Sequence, residues 1–367
     1  MKVLFVVPHN IVHETDMIIG LKHKGVDARV VAGILREPDA SKLAAAGIAL
    51  EHIPFASRID RNAVRKLRGV LSAFKPDIVH AFNNKTVSNG LLACKGMPVK
   101  FIAYRGIVGN VSFLNPGSWM TYLNPRVNRI VCVAEAIREY LLNIGFLWLR
   151  IPPHKLVTIH KGHDLAWYQA APHNLAEFGI SENDFVVGCI TNYRPRKGIE
   201  KIVEAASMLP RELNVHFLLI GNMQNTGLAR LLARSSARDR IHLAGFRADA
   251  PRLQAACDAC ILPSLKREGL PKSIIEGMAY GLPAIVTDSG GSPELVEHGV
   301  SGLIVPPASA QAIAAAVTEL RSNPQRCEQM GAAARKRIEE YFSIGVTIDK
   351  TFSLYRELIL ERNQDGA

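Results

Sequence analysis

Two glutamates, Glu268 and Glu276, stand with seven residues between them in the stretch Cys260–Pro307, CILPSLKREGLPKSIIEGMAYGLPAIVTDSGGSPELVEHGVSGLIVPP. Carboxylates suit vicinal hydroxyls, because each oxygen accepts a bond from a neighbouring OH. Cys260 to Pro263 reads as the end of a buried strand, and the run Ser273 to Tyr280 has apolar residues at helical spacing. Gly269, Leu270 and Pro271 therefore lie just before a helix start, where free N–H groups and the positive helix end attract a diphosphate or a sugar hydroxyl. Glu276 is expected about two turns into that helix. The plain alternative is that such glutamates are solvated residues favoured by the helix dipole. A second stretch, Asn192-Tyr193-Arg194-Pro195-Arg196-Lys197-Gly198, joins the apolar run 185–191 to a helical pattern over 199–208. Its three cations at a helix entrance are placed to hold a diphosphate.

The elements that must position these groups show in the hydropathy pattern. Apolar runs rich in Val and Ile cover 2–7, 28–32, 48–53, 77–82, 99–104 and 128–133, separated by segments of helix length. That alternation predicts an α/β fold with parallel, doubly wound sheets. Ligands then bind beyond the C-terminal strand ends, which directs attention to the loops 8–15, 80–86 and 105–116. Further strands are expected at 155–160, 215–221 and 241–245, and helices at 308–322, 324–341 and 346–362.

With 367 residues, 48% hydrophobic and 21% charged, the chain is long enough for two cores and too apolar for disorder. No apolar run approaches the length of a membrane span, and Val3–Val7 ends at Pro8 as a first strand would, not a secretory segment. Six scattered cysteines point to reduced thiols and a cytoplasmic protein. Cys257 and Cys260 have CxxC spacing, but no second pair completes a zinc site. The net charge of +11 is one-sided: residues 1–164 hold 22 Lys+Arg against 11 Asp+Glu, and the remainder 22 against 22. An anionic partner is expected at the N-terminal half. The candidates are a peripheral anionic membrane surface on the cell's inner face, a phosphorylated acceptor or nucleic acid, and the lack of regular aromatic interleaving for base stacking sets nucleic acid aside. Segment 61–74 combines an apolar stripe (Val64, Leu67, Leu71, Phe74) with Arg61, Arg65, Lys66 and Arg68, and reads either as a helix lying on anionic lipid or as one packed on a sheet.

The string from Glu268 to Pro307, with its paired glutamates, the Gly290-Gly291 turn and the closing Gly-Leu-Ile-Val-Pro segment, resembles the nucleotide-sugar site of retaining glycosyltransferases of family 4. The resemblance implies the GT-B fold, two Rossmann-like domains with parallel sheets facing a central cleft. Domains are expected at 1–164 (acceptor binding), 165–345 (nucleotide sugar) and 346–367, a last helix crossing back to the first domain. It further implies that Lys197, with Arg194 or Arg196, faces the departing diphosphate, that Gly269, Leu270 and Pro271 hold phosphate or sugar, that Glu276 holds the ribose and Glu268 the sugar hydroxyls. Gly221, Phe246 and Arg247 fall at the turns that bracket the base. In DIVHAFNN, His80 and Asn83 are candidates beside a structural reading of the histidine. Where many members carry histidine before a glycine, this chain has Arg105 before Gly106, compatible with pairing to a phosphate or an anionic sugar. His9 and His13 lack the HExxH order. The segment 115–150, with Trp119, Tyr122 and GFLWLRIPPHK, reads as core packing at a domain edge or as an apolar lip.

The expected function is thus a retaining, metal-independent hexosyltransferase that uses a UDP-sugar as substrate and needs no cofactor. Its expected acceptor is a glycan or lipid-linked molecule of lipopolysaccharide or cell-surface polysaccharide synthesis. A non-catalytic sugar-nucleotide-binding protein and a GT-B epimerase or phosphorylase remain the alternatives.

Overall fold

The computed structural model describes residues 1–365, and contacts divide the chain into two units, Met1–Gly162 with the residues from Ile344 onward, and His163–Ser343. The first unit runs β1 (Lys2–Val7), α1 (Val12–His23), β2 (Asp27–Ala32), α2 (Asp39–Ala45), β3 (Ala49–His52), α3 (Arg61–Phe74), β4 (Ile78–Ala81), α4 (Asn84–Ala93), β5 (Lys100–Arg105), α5 (Pro116–Trp119), β6 (Arg129–Cys132) and α6 (Glu135–Asn143). A short antiparallel hairpin, β7 (Gly145–Phe146) and β8 (Leu149–Arg150), then precedes β9 (Leu156–Thr158). The strands form a parallel sheet ordered β3-β2-β1-β4-β5-β6-β9. Val3 to Val7 are buried on both faces, which is why the strands read as unbroken apolar runs.

The second unit has β10 (Phe185–Ile190), α7 (Ile199–Met208), β11 (Val215–Ile220), α8 (Thr226–Arg234), β12 (Ile241–Gly245), α9 (Ala250–Ala255), β13 (Ala259–Leu262), α10 (Lys272–Ala279), β14 (Ala284–Thr287), α11 (Ser292–Leu295), β15 (Gly302–Val305), α12 (Ala310–Ser322) and α13 (Pro324–Tyr341). Its parallel sheet is ordered β12-β11-β10-β13-β14-β15. Both sheets are doubly wound, as the alternation predicts. Each reverses direction beside its first strand, so crevices open at the carboxyl ends of β1 and β4 in one unit and of β10 and β13 in the other.

The last helix, α14 (Ile344–Asp365), packs on unit 1. It buries Leu354, Tyr355 and Leu358 in the core of β1, β2 and α1, and the Tyr355 hydroxyl bonds His80 Nδ1 at 2.8 Å. Arg129, at the start of β6, pairs with Glu357 at 2.6 Å and with Glu361.

Two readings left open by the sequence are resolved here. In α3 the residues Ala63, Leu67, Val70, Leu71 and Phe74 are buried, so the apolar side of 61–74 is committed to the protein and cannot enter lipid. Asp60 caps the helix, accepting from the amides of Asn62 and Ala63. In 115–150, Tyr122 is buried with its hydroxyl on the Tyr104 carbonyl at 3.2 Å, whereas Phe146, Leu147 and Trp148 form the exposed tip of the hairpin.

Candidate functional site

The carboxyl edge of the second sheet gathers most of the expected residues. After β10 the loop 191–198 ends in Gly198, whose φ of 67° and close approach leave no room for a side chain: a Cβ there would lie 2.2 Å from the Pro263 carbonyl oxygen. Leu265 donates its N–H to the Arg196 carbonyl at 2.8 Å, and the Arg196 guanidinium donates to the Arg267 carbonyl at 3.2 Å. The loops after β10 and β13 are thereby stitched together across the sheet's reversal point. Between them Lys197 Nζ meets Glu268 Oε2 at 2.8 Å, with the two side chains 14% and 10% exposed. Ser264 Oγ donates to the same carboxylate oxygen at 2.7 Å, a partner that sequence reasoning missed although it stands four residues before Glu268. No described residue bonds the other oxygen, Oε1.

Gly290, at φ 59°, abuts the Glu268 backbone so closely that a Cβ would sit 2.1 Å from its carbonyl oxygen. The Gly290-Gly291 turn therefore shapes the Glu268 loop. Arg194 is exposed and makes no side-chain hydrogen bond or ion pair with any described residue, so it is a cation open to a ligand. Helix α10 begins at Lys272 after Pro271, which supplies no side-chain cap, and among the described residues the amides of Gly269 and Leu270 donate to no carbonyl. Uncapped N–H groups of this kind suit an anion.

Glu276 is the fifth residue of α10, just past one turn and not two. It is 5% exposed and holds Lys272 Nζ at 2.8 Å. Burial pushes its carboxyl up, against the pull of Lys272. Further along the edge, Gly221 has φ 132° and a Cβ there would lie 2.2 Å from the Thr191 carbonyl oxygen, so both conformation and space require glycine, and its N–H donates to the Gly245 carbonyl at 2.7 Å. Gly221, Asn222, Leu243 and Phe246 line a cavity of about 420 Å³, and Phe246 is 79% exposed at its mouth. A flat apolar ring beside polar amides is what a heterocyclic base requires.

Arg247 departs from its expected place at the base. Its guanidinium is held by Asp249 at 2.9 and 3.0 Å and by Glu177 at 3.1 and 3.2 Å. Two carboxylates satisfy it, so it ties the segment around Glu177 to the start of α9 and is not free for a nucleotide. Arg105 departs as well. It is 3% exposed, its Nη2 donates to the Gly109 carbonyl, and its guanidinium lies 4.8 Å over the Tyr122 ring. This charge anchors the loop after β5 from within, which removes it from the surface where a phosphate would arrive.

The remaining unit 1 candidates are also built inward. His80 is 2% exposed, and burial lowers its pKa to about 3, so it is a neutral core histidine. Asn83 caps α4 through a reciprocal box with Thr86. His13 and His80 line a small cavity at the strand ends, where Glu14 and Lys161 pair at 2.9 Å.

Residues 12–167 match the family model for Glycosyltransferase Family 4, and residues 172–337 that for Glycosyl transferases group 1. The UDP-Gal:alpha-D-GlcNAc-diphosphoundecaprenol alpha-1,3-galactosyltransferase of Escherichia coli is 24% identical over 322 residues, 83% of this chain and 81% of that protein. The N-acetyl-alpha-D-glucosaminyl L-malate synthase of Bacillus anthracis is 26% identical over 184 residues, 50% of this chain and 48% of that protein, so in that case the match spans about half the length of the relative. Among solved structures, Anabaena HepE in complex with UDP superposes with a TM-score of 0.79 at 21% identity, covering 97% of this chain and all of that one. That likeness establishes the GT-B fold.

Proposed function

We propose that this chain, a GT-B protein joining a Glycosyltransferase Family 4 half to a Glycosyl transferases group 1 half, transfers a hexose from a UDP-sugar to a glycan or lipid-linked acceptor with retention of configuration. The observation that carries the reading is the Lys197–Glu268 pair, 2.8 Å long and nearly enclosed, seated beside the free cation Arg194 and the uncapped start of α10. Cation, amides and carboxylate at one strand edge match the three parts of a nucleotide sugar: diphosphate, sugar and ribose.

In this reading the bond between the anomeric carbon and the diphosphate oxygen breaks while the acceptor oxygen bonds to the same carbon. The acceptor's proton passes to the leaving phosphate, so the protein supplies no strong base. Lys197 and Arg194 stabilise the charge growing on the diphosphate, the kind of electrostatic contribution that dominates many enzymes. Glu268 Oε1 accepts from the sugar hydroxyls, Glu276 from the ribose, and the cavity at Gly221 and Phe246 receives the base. Protein cations do the electrostatic work of a metal, and no required divalent ion is expected. The choice of UDP and of a lipid-linked acceptor is supported by the relative acting on diphosphoundecaprenol and by the neighbour solved with UDP.

The test is turnover of a panel of nucleotide sugars with lipid-linked and soluble glycan acceptors, with the product's anomeric configuration read by NMR. UDP release with an α-linked product supports the reading. Release of GDP alone overturns the donor assignment, an inverted product overturns retention, and binding without release leaves a non-catalytic binder.

A further inference from the structure

The two oxygens of Glu268 are treated differently by the protein. Lys197 Nζ at 2.8 Å and Ser264 Oγ at 2.7 Å both reach Oε2, whereas none of the described residues bonds Oε1. The two donors differ in what they can do for that asymmetry. An ammonium is a compact charge on a flexible stem with three rotatable protons, so it is drawn to either oxygen or to both. The terminal torsion of a glutamate is broad and nearly two-fold. A lysine alone therefore leaves the carboxylate free to turn and to share both oxygens with Nζ. A serine hydroxyl donates one proton in one direction, and from a fixed backbone it selects a single oxygen.

The backbone of Ser264 is fixed. The residue is fully buried, and only Pro263 separates it from the end of β13. Its carbonyl accepts from the hydroxyl of Thr287, a buried residue that ends β14. On its other side the Pro263 carbonyl oxygen abuts Gly198, where a Cβ would come within 2.2 Å, and the Leu265 N–H donates to the Arg196 carbonyl at 2.8 Å. Ser264 is thus clamped between the end of β14 and the loop that carries Lys197, with its hydroxyl on the carboxylate.

We infer that Ser264 is a positioning residue for recognition of the donor sugar: its hydroxyl holds Glu268 Oε2 and so keeps Oε1 open to a hydroxyl of that sugar. The inference rests on the donor-site reading proposed above. Without the serine hydroxyl, Lys197 Nζ draws in both oxygens. The site then loses its acceptor for the sugar and keeps its cation for the diphosphate. Removing the hydroxyl should accordingly lower affinity for a UDP-hexose and leave affinity for UDP in place. A serine that served packing alone would change both together or neither.

The experiment is calorimetric titration of UDP, UDP-glucose and UDP-galactose into the full-length wild type, Ser264→Ala, Glu268→Ala and the double variant. Ser264→Ala should bind whichever hexose donor the wild type prefers about tenfold more weakly, the size of one lost hydrogen bond to a charged group. Its UDP affinity should stay within about twofold of wild type, which also reports an intact fold. Adding Ser264→Ala to Glu268→Ala should cost nothing more, because the serine acts through that carboxylate. Thr287→Val, which releases the Ser264 carbonyl, should show the same split to a smaller degree and replaces Ser264→Ala should that variant not fold. UDP-hexose affinity retained in Ser264→Ala but lost in Glu268→Ala would overturn the inference and leave the donor site standing. Equal losses for UDP and UDP-hexose, or a further loss in the double variant, would overturn it as well. A wild type that binds no UDP-hexose would remove the donor-site reading and this inference together.

Discussion

His80 lies at the end of β4 with its Nδ1 on Tyr355 and no room for a charge. Its pKa of about 3 in the fold is far below the usual histidine value, so between pH 6.5 and 3 the unfolded chain binds the extra proton and stability falls as pH falls. Over that window the loss amounts to ~4 kcal/mol at most. Urea denaturation at pH 7 and pH 4 should show a smaller difference in His80→Gln than in wild type. Glu276 runs the other way. Burial raises its pKa, so its neutral form suits the empty fold, and its contribution to stability, full below the ordinary glutamate range, is lost as pH rises through the raised value. If Glu276 accepts from a ribose, UDP affinity should climb over that same rise, and Glu276→Gln should flatten the profile. For the Lys197–Glu268 pair, a double-mutant cycle on UDP-sugar turnover should be non-additive, with Lys197→Ala alone costing about 10²–10³ in kcat.

Two loops and one returning helix show how elements place these side chains. Gly198→Ala would put a Cβ on the Pro263 carbonyl at a φ of 67°, separating the loops that bring Lys197 to Glu268. It should destabilise the protein by about 1–3 kcal/mol and lower turnover further than its melting shift explains. Tyr355→Ala would empty a fully buried site under α14 and cost about 3–5 kcal/mol in thermal or urea unfolding. Much of this framework was legible beforehand, because buried parallel strands carry continuous apolar runs and α7 has an unbroken helical period over 199–208. The resemblance implied that Lys197 and Glu268 serve one site, but not that they pair at 2.8 Å. What escaped were partners far apart in sequence: nothing near Arg247 announces Glu177, and nothing near Arg105 announces that Tyr122 draws it inward. The amphipathic pattern of α3 measured its two faces correctly but not which surface the apolar one meets, and the hairpin is too short to show any period.

Over the whole molecule, charge and chemistry are divided between the halves. Residues 1–164 carry the entire basic excess and the remainder is balanced, while the Lys197–Glu268 edge belongs to unit 2. No helix among the described residues is long and apolar enough to cross a membrane. Any association with anionic lipid should accordingly weaken as salt rises and screens unit 1, whereas UDP binding, if it rests on the largely buried Lys197–Glu268 pair of unit 2, should change less over the same range. The measurement that reaches the central claim most directly is calorimetric titration of UDP into wild type, Lys197→Ala and Glu276→Ala. The predicted result is one site per chain in the wild type, weakened at least tenfold in each variant, the size of one lost charged hydrogen bond. Wild-type affinity retained in both variants, or no UDP binding to the wild type, would contradict the assignment of this strand edge as the donor site.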